Sequence, residues 1–183
     1  LVWLEQDTST TRLCHGRTDK NKISKVTCPI KLKLPKTLTF LGRKDVLTEN
    51  DSYVASDVWL LVSEQTLIGD RHKILVFDTI SNKSRTVNTH GSGTPIKVAF
   101  AGNNIFLLSA ERTERTLRRI DPNGKCLGVS RFKDHIINLH GLNDGSIVLS
   151  TWRANRRNII KIRKNALIET ACYSALKHIS PML

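Results

Sequence analysis

Long hydrophobic runs and compact catalytic motifs are both missing from this sequence. No stretch approaches the roughly 20 consecutive apolar residues of a membrane-spanning helix, which excludes a helical membrane protein. The motifs GxSxG, HExxH and GxxxxGKS/T do not occur, so the common signatures of hydrolases, zinc peptidases and nucleotide-binding loops are absent. The segment "HGSG" at 90–93 is interpreted as a linker, since no helix signal follows it. We therefore expect a non-enzymatic protein with no cofactor and no metal.

Cysteine pairs with metal-binding spacing are missing as well. The four cysteines are Cys14, Cys28, Cys126 and Cys172. Their scatter excludes zinc ribbons and zinc fingers, which need closely spaced ligands. The chain begins "LVWLEQD", without the basic and apolar regions of a signal peptide, and we expect a fragment or processed piece of a longer protein. Without a secretory signal we predict free thiols, an intracellular location in the cytoplasm or nucleus, and chance occurrence of the Asn-x-Ser sequons at Asn50 and Asn82.

Acidic residues are scarce relative to basic ones. The chain has 29 Lys and Arg against 16 Asp and Glu, a formal net charge of +13. Such an excess attracts RNA and other polyanions, anionic lipid headgroups or acidic protein tails. The alternative is that the lysines keep a β-rich surface soluble and its sheet edges unpaired.

What the sequence does contain is a repeat of short apolar runs. Three units share one order: an apolar run, a polar turn, a second run, a basic insert, a third run, a turn and a fourth run. The second runs begin at Val58, Ile105 and Ile147, so the unit repeats after 47 and then 42 residues. Repeats of this length made of short strands are typical of radial β architectures.

Turn chemistry divides each unit into strands. "GNN" at 102–104 and "NDG" at 143–145 predict tight turns between first and second runs. "SNK" at 81–83 and "DPNG" at 121–124 predict turns between third and fourth runs. Asp57, Asp78 and Asp121 are expected to accept hydrogen bonds from turn N–H groups rather than to act in acid–base chemistry. The one segment with a plausible helical period is 168–178, although its first half is equally needed as a fourth strand.

These units resemble β-propeller blades of the NHL-like or WD40-like type, as in "IFLLSAE" followed by "LRRIDPNGKCLGV". The Trp-Asp pattern of WD40 blades is absent, since neither Trp59 nor Trp152 precedes an aspartate. The resemblance implies an all-β fold: a partial β-propeller of three to four four-stranded blades, completed by further blades or by a partner. A β-sandwich is the alternative, although it does not predict the repeated insert.

The predicted organisation has three parts. Residues 1–50 form a basic, strand-containing segment, which includes the alternating "IKLKLP" and is an incomplete blade in this interpretation. Residues 51–175 hold three blades at about 52–92, 93–134 and 135–175. Residues 176–183 form a C-terminal tail. Alone, three and a half units expose sheet faces at both ends.

The basic inserts are predicted to be solvent-facing loops on one face of the propeller. In the first unit Arg71, His72 and Lys73 are opposed by Asp70. The candidate anion-binding residues of the later units are Arg112, Arg115, Arg118, Arg119, Trp152, Arg153, Arg156, Arg157, Lys161, Arg163 and Lys164. Arginine forks bind phosphate oxygens in pairs, and an exposed Trp152 offers a stacking surface. The alternative is that Trp152 is buried, which we favour, and that the arginines form a solvated rim.

Two functions follow from this interpretation. The first is a propeller segment whose basic face binds an acidic partner, with RNA as the leading ligand. The second is a protein–protein scaffold in which the basic excess is incidental and the apolar termini, "VWLEQ" and "ALKHISPML", contact other subunits. The segment "RRNIIKIRK" also matches a nuclear-localisation pattern.

Overall fold

A computed structural model describes residues 1–19, 22–47, 53–88, 93–153 and 156–163. The described chain is all β, as predicted, with fourteen strands and no helix. The strands form four antiparallel sheets, and the chain divides into two compact units, Leu1–Val87 and Asn88–Leu183. Among the described residues no helix could cross a membrane.

The first unit holds two sheets of consecutive strands. The first sheet has the order β1-β2-β3 and the second has the order β4-β5-β6-β7. The strands are β1 (Val2–Gln6), β2 (Thr10–Asp19), β3 (Lys22–Lys33), β4 (Lys36–Leu47), β5 (Tyr53–Thr66), β6 (Gly69–Asp78) and β7 (Lys83–Val87). The core of this unit joins Leu13 and Ile30 of the first sheet to Leu38, Val58, Leu60, Val62 and Phe77 of the second.

The second unit is built in the same way. Its four-stranded sheet has the order β11-β10-β9-β8, and its three-stranded sheet has the order β12-β13-β14. The strands are β8 (Thr94–Ala101), β9 (Asn104–Glu111), β10 (Glu114–Ile120), β11 (Cys126–Phe132), β12 (His135–Gly141), β13 (Ile147–Arg153) and β14 (Arg156–Ile162). Its core includes Phe106, Leu108 and Leu117 from one sheet, and Leu139, Ile147 and Leu149 from the other.

The second strand of each four-stranded sheet is apolar because both of its faces are covered. Val58 to Val62 in β5 and Ile105 to Ser109 in β9 are all buried. A strand covered on both faces has a continuous apolar run, whereas a strand with one wet face alternates. The predicted alternation at Ile30–Lys33 is of the second kind: Ile30 is buried, and Lys31 and Lys33 are exposed.

All four predicted turns lie between strands, as expected. The carboxylate of Asp121 accepts hydrogen bonds from the backbone N–H groups of Asn123 and Lys125, both at 2.8 Å. Asp78 accepts hydrogen bonds from the N–H of Ile80 and from both donors of Ser81, and the Ser81 hydroxyl is the main reason that the pKa of Asp78 is lowered. The prediction for Asp57 was wrong, because this residue lies inside β5.

Three other expectations differ from the structure. The strand β4 falls in the predicted N-terminal segment, yet it pairs with β5 along its length and belongs to the second sheet. The basic inserts are not loops. The third difference is covalent: Cys14 and Cys28 form a disulfide between β2 and β3, and Cys126 is also disulfide-bonded. The free-thiol prediction was therefore wrong for these three cysteines, because cross-strand neighbours 14 residues apart in sequence were not recognisable as a pair.

Candidate anion-binding site

The predicted basic loops are strand segments joined by very short turns. Between β9 and β10 the turn consists of Arg112 and Thr113, and between β5 and β6 it consists of Leu67 and Ile68. Arg71, His72 and Lys73 lie in β6, while Arg115, Arg118 and Arg119 lie in β10. The hairpin strands extend past the apolar core, so charged side chains occupy their outer ends without breaking the ladder.

Arg118 is withdrawn from solvent by an ion pair. Its guanidinium donates to the carboxylate of Glu111, and the two side chains are 8% and 12% exposed. Arg131 lies 3.7 Å from the carboxylate oxygens of both Glu111 and Glu114. Arg118 therefore neutralises a buried carboxylate, and we remove it from the candidate ligand contacts.

Trp152 differs from Arg118 because its side chain is exposed. In the ladder, Trp152 of β13 pairs with His135 of β12 on one side and with Arg157 of β14 on the other. Residues directly opposite each other in an antiparallel sheet project from the same face. The Nη2 of Arg115 lies 3.1 Å from the Nδ1 of His135. Arg115 belongs to the neighbouring sheet of this unit. We call Arg115, His135, Trp152 and Arg157 the Trp152 row.

Trp152 is 46% exposed, so the prediction that it is buried was wrong. The alternation of β13 explains its exposure, because Thr151 and Leu149 face the core and Trp152 therefore faces away from it. A bulge at Ile136–Asn138 shifts the register of β12 just below this point. Trp152 is consequently half-exposed, and its ladder partners are His135 and Arg157.

The guanidinium of Arg157 is oriented by a hydrogen bond to β13. Its Nε donates a hydrogen bond of 2.8 Å to the hydroxyl of Ser150, whose residue is buried. Among the described residues, its two Nη groups have no hydrogen-bond partner. The guanidinium is thus oriented by one donor while the others remain available to an anion.

The remaining predicted residues do not all join this row. Arg112 is exposed in the β9–β10 turn, and Arg119 is half-buried within β10. Arg153 and Arg156 are backbone partners at the β13–β14 hairpin tip, next to the Trp152–Arg157 pair. Arg163 is exposed just after β14, and Lys164 lies outside the described residues.

Lys161 has a partner of its own at the other end of β14. Its Nζ lies 3.2 Å from Asp144. The hydroxyl and the backbone N–H of Ser146 also donate to Asp144, and together with Lys161 they lower the pKa of that carboxyl from 3.8 to about 2. Asp144 is therefore ionised throughout the physiological range, and Lys161 is a turn-bracing cation.

His135 is the residue of this site that the sequence analysis missed. Nothing in the sequence relates His135 to Trp152, which lies 17 positions further along the chain. Their proximity follows from the β12–β13 register, which includes the bulge. The turn "NDG" predicts the hairpin, but it does not predict that His135, eight positions before it, lies opposite Trp152, seven positions after it.

Two other clusters hold residue types found in metal-binding or catalytic sites. Ligand atoms of Glu5, Cys14 and Cys28 lie within 4.8 Å of one another, but the two sulfurs are bonded together and supply no thiolate. The Ser63 hydroxyl lies 3.0 Å from the Nδ1 of His72. These two residues are cross-strand partners on an exposed hairpin, so the register accounts for their contact.

Two solved structures resemble the described fold. One is from a structural and mechanistic study of two prolyl endopeptidases, with a TM-score of 0.58, 17% identity and coverage of 88% of this chain and 23% of that chain. The other is dipeptidyl peptidase 4 of Porphyromonas gingivalis, with a TM-score of 0.50, 8% identity and coverage of 98% of this chain and 33% of that chain. No family model and no curated protein matches the chain.

The likeness is to the β-propeller domains of these peptidases, and at this identity it shows the fold alone. Together with the four small antiparallel sheets, it defines the chain as a partial β-propeller, as predicted. The chain spans 23% and 33% of the length of the two structures. Assignment to the NHL-like or the WD40-like type stays a prediction.

Proposed function

We propose that this chain is a non-catalytic propeller segment that binds an acidic polymer through the Trp152 row. The observation that carries the proposal is the half-exposed indole of Trp152 between His135 and Arg157. Large aromatic side chains are usually well buried, so an open indole beside cations is favourable mainly when a ligand covers it.

The chemistry of the row suits a chain of anionic groups that also carries flat rings. Stacking of a base on an aromatic side chain is worth about 1–3 kcal/mol and is tolerant of sequence. Arg115, in contact with His135, and Arg157, the ladder partner of Trp152, would supply guanidinium groups to the flanking phosphates. The net charge of +13 would increase the rate of encounter with any polyanion. Single-stranded RNA therefore stays the first ligand to test.

Sulfated polysaccharide offers the same charge pattern in an oxidising compartment. The disulfide between Cys14 and Cys28 favours that setting over the predicted intracellular one. Both polymers present closely spaced anions. Comparing the affinity of the chain for RNA with its affinity for heparin distinguishes the two ligands.

The test is a filter-binding titration with single-stranded RNA, single-stranded DNA and heparin at about 50 and 200 mM salt. Wild-type affinity should fall at least tenfold between these salt concentrations because phosphate or sulfate contacts release counterions. Trp152→Ala and Arg157→Glu should each weaken binding about tenfold or more, with unchanged circular dichroism.

Lys31→Glu provides a matched charge reversal, because Lys31 is an exposed strand residue in the other unit. We expect less than about a threefold effect from it, through long-range charge alone. Equal losses in Lys31→Glu and Arg157→Glu, or affinity that does not change with salt, would contradict the proposal. Binding of heparin without RNA would assign the site to sulfated polymers.

A scaffold role is the second candidate, and it is favoured by a separate observation. Ile137 and Ile159 are 49% and 73% exposed on the same sheet as Trp152. Exposed apolar side chains of this size are typical of a surface that another sheet or a protein covers. Complexes held mainly by such contacts survive high salt, so a partner retained at about 1 M salt would favour the scaffold.

A further inference from the structure

The cysteines in the described part of the chain are oxidised. Cys14 is joined to Cys28, and Cys126 is disulfide-bonded as well. Disulfides form and persist in secreted proteins and in the endoplasmic reticulum lumen, whereas they are rare in the cytosol and nucleus. Chance occurrence of the Asn-x-Ser sequons is expected for a protein of a reducing compartment. The disulfides indicate an oxidising compartment instead.

One of the two sequons lies in the described part of the chain and is well placed for modification. Asn82-Lys83-Ser84 spans the turn between β6 and β7, and all three residues are exposed. Asn82 is in the left-handed region, with φ of 58°. The first residues of the turn are held by Asp78, which accepts hydrogen bonds from Ile80 and Ser81. Asn82 follows them at the end of the turn.

The location in the sheet also fits a bulky polar attachment. Asn82 precedes β7, which is the last strand in the order β4-β5-β6-β7. Residues 83–86 are all exposed, so a saccharide at this turn would project into solvent without displacing any core side chain. Native proteins protect such edge strands from pairing with other chains, and a glycan is a large solubilising group.

We propose that Asn82 carries an N-linked glycan, added while the chain passes through the secretory pathway. The co-reactant is an oligosaccharide joined to a polyprenyl pyrophosphate. A bond forms between the Asn82 amide nitrogen and the anomeric carbon of the first sugar, and the bond from that carbon to the pyrophosphate oxygen breaks. The amide loses one proton, and the polyprenyl pyrophosphate leaves with the electron pair. Ser84 supplies the hydroxyl that the sequon requires.

The direct test uses the protein expressed from its complete natural coding sequence, with its own targeting signals, in eukaryotic cells. Treatment with peptide N-glycosidase in heavy-oxygen water converts a glycosylated asparagine to labelled aspartate. Trypsin should release residues 74–83 as a peptide in which Asn82 is the single asparagine, and this separates the site from the sequon at Asn50. Labelled aspartate at position 82 is the expected result, and an unmodified Asn82 in all molecules would overturn the proposal.

Three variants distinguish the sequon from the asparagine itself. Ser84→Ala should abolish the glycan although Asn82 and the analysed peptide are unchanged, and Ser84→Thr should retain it. Asn103→Gln is the matched control, because Asn103 is an exposed turn residue with no Ser or Thr two positions later. It should leave the electrophoretic mobility and the glycan unchanged. Retention of the modification in Ser84→Ala would contradict N-glycosylation.

This inference does not depend on the Trp152 row, and the two can fail separately. A glycan at Asn82 would place the protein in compartments that sulfated polysaccharides share and RNA largely does not. The glycan would therefore favour sulfated polysaccharide over RNA as the ligand. An unmodified Asn82 would leave the binding assay and its variants fully informative.

Discussion

At the scale of single residues, arginine occupies opposite environments at two positions of the second unit. Arg118 is buried against Glu111, whereas Arg157 is exposed beside Trp152. In the sequence both appear as arginines within a basic insert. Arg118 lies in β10, an inner strand of its sheet, whereas Arg157 lies in β14, the last strand in the order β12-β13-β14.

The buried pair gives the first stability prediction. Arg118→Ala leaves the Glu111 carboxylate, 12% exposed, without its closest cation. Removing one partner of a buried ion pair costs about 3 kcal/mol, and the Glu111 charge then keeps only the more distant and more exposed Arg131. We expect a loss of that size in the free energy of unfolding, measured by urea titration. Arg118→Ala/Glu111→Gln should recover part of it, since no buried charge then remains.

The matched control for this prediction is an exposed pair in the other unit. Lys36 and Glu64 are 3.5 Å apart, with side chains 43% and 38% exposed. Lys36→Ala should change the free energy of unfolding by less than about 1 kcal/mol. A similar loss in both single variants would show that the burial of Arg118 does not set its contribution.

The sequence indicates residue types for the candidate site but not their pairing, and the binding role of these residues stays a prediction. Arg115, Trp152 and Arg157 were all named, and the structure brings them together. Trp152 was nevertheless assigned to the core on the usual behaviour of tryptophan, which a strand's alternation overrides. His135 was missed because its position opposite Trp152 depends on a bulge with no sequence signal.

At the scale of strands and turns, local chemistry was a good guide to boundaries. The segments "GNN", "NDG", "SNK" and "DPNG" all separate strands in the structure. The prediction that the basic inserts are loops is wrong, because charged residues also occur within regular strands. In a hairpin whose outer half is solvated, the backbone ladder tolerates charged side chains. A charged residue there indicates exposure to solvent and not the end of a strand.

A glycine in β12 sets how closely two sheets approach. A Cβ built on Gly141 would lie 1.8 Å from the carbonyl oxygen of Phe100 and 2.4 Å from its carbonyl carbon. These atoms belong to the backbone of β8, in the neighbouring sheet of the same unit. Since backbone cannot rotate away as a flexible side chain can, any side chain at this position forces the sheets apart.

Gly141→Ala should therefore destabilise the second unit strongly. We expect a loss of about 3 kcal/mol, at the upper end for overpacked positions, because β8 or β12 must shift. His140→Ala is the control, since His140 is the exposed neighbour on the same strand and should cost less than about 0.5 kcal/mol. Differential scanning calorimetry of both variants measures this, and equal melting temperatures would refute the close approach.

At the scale of the whole molecule, the repeat was the strongest signal in the sequence. Each unit of strands and turns recurs, and repetition made the all-β partial propeller predictable although no single strand identified it. The covalent links were not predictable in the same way. Cys14 and Cys28 become neighbours through the β2–β3 register, which shifts twice within this pair of strands.

Those register shifts suggest what the disulfide does for the molecule. A ladder interrupted between Leu13 and His15, and again between His15 and Arg17, has fewer regular hydrogen bonds to hold β2 against β3. The bond between Cys14 and Cys28 ties the strands at this irregular region. It also closes a loop of sequence separation 14, which reduces the conformational freedom of the unfolded chain.

Cys14→Ala/Cys28→Ser should accordingly lower the free energy of unfolding by about 3 kcal/mol, the value for a loop of this length. Alanine suits the buried position 14 and serine the exposed position 28. The urea midpoint of the wild type should fall on addition of dithiothreitol. The variant should lose less under reduction, because only the bond at Cys126 is then left to break. If reduction shifted both midpoints equally, the Cys14–Cys28 bond would contribute nothing to stability, and the irregular β2–β3 ladder would have to be sufficient without it.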